Sequence, residues 1–158
     1  STEFAPSKRF LRGHKYLTFD DLLKENFIIN SSVMYRWLYK PTDYPSGIMP
    51  GDWFIHLLHA QYGKIKILPE PMVVYSRWSG GIWQSAAGND FYTKNAHGLL
   101  QFYYAVEQKF NVDKSLQKGE LISKILTACV ATGQIDTVSS LFKEFPDLYK
   151  CLSMFTTE

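Results

Sequence analysis

The chain has 158 residues, 46% hydrophobic and 20% charged, with seventeen Lys and Arg against fifteen Asp and Glu for a formal net charge of +2. That composition excludes disorder and collagen-like architectures, and the near-balance gives no bulk charge to attract a nucleic acid. A chain of this length buries roughly 70% of its unfolded surface, so neither disulfides nor a metal are needed to explain folding. Residues 1–15 show no clear period and carry Pro6 and Gly13, which reads as an arm or loop. Thr18 then predicts a short helix, with Thr18 as N-cap, Asp20 and Asp21 at the positive end and Phe19, Leu22 and Leu23 on one face. From Phe27 to Trp37 the pattern is mixed, and Ile28, Ser32 and Met34 fit a strand entering a core.

Pro41, Pro45, Gly47 and Pro50 forbid regular structure between Tyr39 and Gly51 and predict an ordered loop. A largely buried helix is expected from Asp52, apolar at Trp53, Phe54, Ile55, Leu57, Leu58 and Ala60, and stopped by Gly63. Lys64 to Ile67 alternates as a half-buried strand does, and Met72 to Tyr75 reads as a second strand. Ser76 to Asn89 combines Gly80, Gly81 and Gly88 with Trp78 and Trp83, a loop composition. After Asn89 the period is helical. Tyr92, Ala96, Leu99, Tyr103, Val106 and Phe110 mark one long amphipathic helix, Ile122 to Cys129 a second ending near Gly133, and Ile135 to Phe145 a third ending at Pro146. The last two are expected to form an antiparallel hairpin.

Cys129 and Cys151 lie in apolar, helical-looking text without CxxC spacing, which points to a reducing compartment and to no zinc site. No run approaches about 18 apolar residues, so no transmembrane segment is expected.

Asp52 has two compatible readings, an N-cap for the buried helix or a rigidly held carboxylate that takes a proton. His56 and His59 lie three apart on that helix, but without a third ligand they read as packed or capping groups. Trp78, Trp83 and Tyr92 flank a loop rich in Gly, Ser, Gln and Asn, a mixture suited to sugars because pyranose faces stack on aromatic rings while amides and hydroxyls bond the ring hydroxyls.

Three segments carry a resemblance. Asn26-Phe27-Ile28-Ile29-Asn30-Ser31-Ser32-Val33-Met34-Tyr35-Arg36, then Gly51 to Leu58 with Gly63-Lys64-Ile65, then Val74-Tyr75 with Gly80-Gly81-Ile82-Trp83 resemble, in order and spacing, the second half of family-two glycosyltransferases of GT-A fold. The match covers about residues 18 to 85. It implies an α/β architecture, a partial GT-A sheet with packed helices followed by a helical tail, divided into an acceptor-side half over 1–88 and a tail over 89–158. It also implies an inverting transfer from a nucleotide-sugar donor to a glycan hydroxyl. In that reading Asp52 is the base, Ser31 and Ser32 line the site, Trp53, Trp78 and Trp83 stack on sugar, and Arg77 meets phosphate. The family loop carries His where this chain has Trp78, and its Arg falls at Ser76, one place before Arg77. The family's nucleotide-binding half with its DxD aspartates is not in this chain, so a divalent cation, Mg or Mn, is expected to be held mainly by residues outside it. A cytoplasmic setting, including the inner face of the membrane, is implied. A partial sheet with missing neighbours also predicts self-association through its edge. The alternative is a non-catalytic module whose helical tail binds protein or peptide in a groove.

Overall fold

Thr18 caps the first helix reciprocally: its hydroxyl accepts from the Asp21 N–H, while the Asp21 carboxylate accepts from the Thr18 N–H at 2.9 Å. Two orphan donors are thereby satisfied, and the positive helix end gains a negative charge. This helix, α1, runs Phe19–Lys24 and buries Leu22 completely. The structure is a computed structural model that describes residues 16–38, 40, 44–68, 70 and 88–156. Of these, 66% are helical and 2% lie in an extended bridge.

The expected α/β architecture with a partial GT-A sheet is therefore corrected: among the described residues there is no sheet. Local side-chain bonds explain the first lost strand. Asn26 Oδ1 accepts from the Ile28 N–H at 3.2 Å, and both the N–H and the hydroxyl of Ser32 return to the Ile29 carbonyl at 2.8 Å. These bonds offer the backbone an alternative to a ladder, so Asn30–Ser32 winds into a 3₁₀ turn. Met34, expected in a core, is 97% exposed. Over 64–67 the expected alternation does exist, with Lys64 and Lys66 exposed and Ile65 and Ile67 half-buried. Its only ladder partner among the described residues is Leu17, paired with Ile65 by two reciprocal 2.8 Å bonds in an isolated antiparallel bridge. The second expected strand, 72–75, lies outside the described residues. Self-association through a cut sheet edge loses its premise, since the described residues contain no such edge.

The described chain divides into two compact units, one drawn from 16–44 and 51–70, the other from 45–50 and 88–156. In the first, α2 (Gly51–Ala60) buries Phe54, His56, Leu57, Leu58 and Ala60 and packs on α1. Tyr44 meets the Phe54 ring edge-on.

The second unit is all-helical. It comprises α3 (Asn89–Phe110), α4 (Ser115–Thr132), α5 (Ile135–Glu144) and α6 (Leu148–Thr156). Helix α3 ends where Asn111 enters the left-handed region, which Asn tolerates. Asp113 Oδ1 then accepts from the Ser115 N–H at 2.8 Å, which starts α4. Gly133 ends α4 at a φ of 72°, as the spacing predicts. Helix α4 lies at the centre, packed on α3, α5 and α6. Its Ile122, Ile125 and Cys129 are fully buried beside Leu100, Leu141 and Leu148, each such side chain contributing about 1.5–3 kcal/mol. Both cysteines are buried thiols of this unit. Helix α6 is absent from the sequence reading, which ends its helices at Pro146. No helix among the described residues is long and apolar enough to cross a membrane.

Candidate functional site

Helix α2 carries the candidate site. It begins at Gly51, so Asp52 sits one position inside the helix rather than at the cap. There the unpartnered N–H groups of the first turn concentrate positive charge. The half-buried Asp52 carboxylate accepts from the Trp53 N–H through Oδ1 at 2.8 Å, which both satisfies an orphan donor and holds the carboxylate in place. Trp53 is half-buried, and its indole N–H donates to the Leu22 carbonyl of α1 at 2.9 Å. The expected stacking residue is thus also the tie between two helices.

One turn on from Asp52, His56 is 2% exposed, and neither ring nitrogen has a hydrogen-bond partner among the described residues. Leaving a buried polar group unsatisfied costs about 1–3 kcal/mol. Burial pushes the His56 imidazole below its ordinary value, Asp52 pulls it back up in part, and His59 adds to the lowering. His59 contrasts with it. Its Nδ1 faces the Ile55 carbonyl at 2.9 Å and its Nε2 faces the Leu38 N–H at 3.4 Å, the pairing of the Nδ1–H tautomer. With both nitrogens held by backbone, His59 is a packing and capping group, and the two histidines do not form a metal pair. Among the described residues no group of three or more His, Cys, Asp or Glu side chains is placed to hold a metal ion. The described residues do not fit the implied divalent cation.

Sequence reasoning missed Tyr35 and Trp37. Tyr35 stacks on the His59 ring at 3.9 Å and 26°, meets His56 edge-on at 6.3 Å, and lies 6.0 Å from Trp37, whose ring is 5.6 Å from His59. Burial raises the Tyr35 phenol above its ordinary value. The signal was present: in an extended segment, residues two apart share a face, and His56 and His59 share a helix face. Ser31 and Ser32 are exposed in the 3₁₀ turn, with the Ser32 hydroxyl donating to Ile29. Arg77, Trp78 and Trp83 lie outside the described residues. Tyr92, the third aromatic of the sugar-like loop, packs on the core of the helical unit.

No family model matches the chain, and no solved structure matches it. Over 100 residues, 62% of this chain, it is 41% identical to uncharacterized proteins of Mycobacterium tuberculosis and Mycobacterium bovis. The chain spans 28% of the length of these curated relatives.

Proposed function

We propose that the chain is part of an inverting sugar transferase that moves a sugar from a nucleotide-sugar donor to a glycan hydroxyl, in a cytoplasmic setting that includes the inner face of the membrane. The reading rests on the amino-acid sequence of the three segments, taken in their order along the chain, and not on a sheet. The observation that carries it is Asp52, a carboxylate half-buried in the first turn of a buried helix and fixed by the Trp53 N–H. In the proposed step the acceptor oxygen attacks the anomeric carbon in line as the bond to the diphosphate breaks, and Asp52 takes the hydroxyl proton. A divalent cation, on this proposal, is held outside the described residues.

The test is Asp52→Asn in the full-length protein, assayed with a panel of nucleotide sugars beside its melting temperature. Asn keeps the shape and the acceptor oxygen, so the melt should stay within a few degrees, because the lost charge–dipole interaction is about 0.3–1 kcal/mol. Turnover should fall roughly 10²–10⁴-fold. If the variant keeps more than about a tenth of parental turnover, Asp52 serves only the helix end.

A further inference from the structure

We propose that His56 acts through Asp52 as its buried partner, receiving the proton that the carboxylate lifts from the acceptor hydroxyl. The inference rests on the sugar-transferase reading and adds to it a residue that the resemblance does not assign.

Three observations carry it. First, Asp52 and His56 are four apart on α2, and helical side chains lean toward the N-terminus, so the imidazole is set back over the turn that carries the carboxylate. Second, the two groups interact electrostatically, the carboxylate favouring the imidazolium. Third, both nitrogens of a ring only 2% exposed are unpartnered among the described residues, whereas both nitrogens of neighbouring His59 are held by backbone. A buried imidazole kept neutral and without a fixed partner has a lone pair ready for a proton. A merely structural histidine would look like His59.

Among the described residues, these titratable groups face His56. Asp52 and His59 come from its own helix, and Tyr35 presents a ring edge from the facing segment. Helix α1 brings Leu22 against α2, while its Asp20 and Lys24 are exposed and Asp21 is engaged with Thr18. The proton balance closes within the pair. The acceptor O–H loses its proton to an Asp52 oxygen as the new C–O bond forms, the diphosphate leaves with the electron pair of the broken bond, and the proton passes to a His56 nitrogen when the Asp52 side chain, which shares no hydrogen bond with His56 at rest, turns onto it.

Two measurements on the full-length protein test this. The first is a histidine-selective NMR titration of parent and Asp52→Asn, which needs no substrate. The His56 resonance, assigned by its loss in His56→Gln, should titrate below an ordinary histidine in the parent and lower still in Asp52→Asn, because the carboxylate's pull is gone. An unchanged midpoint overturns the pairing. The second is the pH–rate profile of His56→Gln and His56→Asn. The parent's turnover should fall as pH drops through the His56 midpoint, where the partner is already charged, and both variants should lose that limb and run roughly tenfold slower at the plateau. Retention of the limb with a full plateau in either folded variant overturns the relay. Coupling in the titration without turnover of any nucleotide sugar would instead sink the transferase reading and leave the pair standing.

Discussion

Lys118 shows what a single buried charge does in the helical unit. Its side chain is 3% exposed, and its ammonium donates to Glu107 at 2.9 Å and to Asp147 at 3.0 Å while lying 4.1 Å from the Tyr104 ring centroid. Tyr104 donates its hydroxyl to the other Asp147 oxygen and stacks on Phe145. Glu107 also accepts from the Lys114 N–H. One cation thus joins the last turns of α3, the first turn of α4 and the entry to α6. Burial alone would lower the Lys118 ammonium, but the bonds to Glu107 and Asp147 outweigh it and the net shift is upward. Lys118→Met keeps the apolar stem and strands two carboxylates, so it should destabilise the protein by about 2–4 kcal/mol, below the full loss for a broken buried pair because both carboxylates keep some solvent. Adding Asp147→Asn should recover part of that. Urea denaturation of the single and double variants checks both expectations, and equal midpoints for parent and Lys118→Met would show that the network contributes nothing.

At the scale of elements, the close approach of α4 and α6 is set by one glycine. A Cβ at Gly119 would lie 2.3 Å from the Cys151 carbonyl oxygen and 2.7 Å from Phe155 Cβ, so backbone must move to admit it. Ala would gain up to about 1 kcal/mol of helix propensity there, yet overpacking costs about 1–3 kcal/mol. Gly119→Ala should therefore lower the melting temperature. Gly133→Ala meets no atom within 4 Å, and its cost comes from a φ of 72° alone, about 1–2 kcal/mol. Thermal melts separate the two causes: Gly133→Asn should recover part of the Gly133→Ala deficit, because Asn tolerates the left-handed region, whereas any residue with a Cβ at 119 meets the same Cys151 and Phe155 atoms and should melt no higher than Gly119→Ala. Helix α6 itself was written in the spacing of Leu148, Cys151, Leu152 and Phe155, all buried or half-buried, an i, i+3, i+4, i+7 pattern hidden behind the stop signal of Pro146.

Over the whole molecule, the two units should respond to acid at different pH. His56 is pushed down by burial, so the folded state binds its proton less readily than the unfolded chain. Its contribution is present above about pH 6.5 and is lost as pH falls toward the depressed value. Burial would raise Asp147, but the hydrogen bonds from Tyr104 and Lys118 prevail and hold it below the ordinary range. Its contribution is therefore present above about pH 3.9 and lost only below that. Lys118, raised, stabilises below about pH 10.4 and ceases to do so as pH climbs through its folded value. Hydrogen exchange should show amides of α2 losing protection as pH falls below about 6.5, while α4 and α6 stay protected until pH falls below about 3.9. Loss of protection in the reverse order would refute the assignment. The helices of 89–145 and the buried helix after Gly51 were determined by sequence alone, because a 3.6-residue apolar period and its end signals are local properties. The sheet was not. Ile28, Ser32 and Met34 have strand-like spacing, but strands need partners, and the bonds of Asn26 and Ser32 to nearby backbone turned that segment aside. At the site, Asp52 could be read from its place at a helix start, whereas the stacking of Tyr35 on His59 and the isolation of His56 depend on which segment crosses that helix face, a decision made only by tertiary packing.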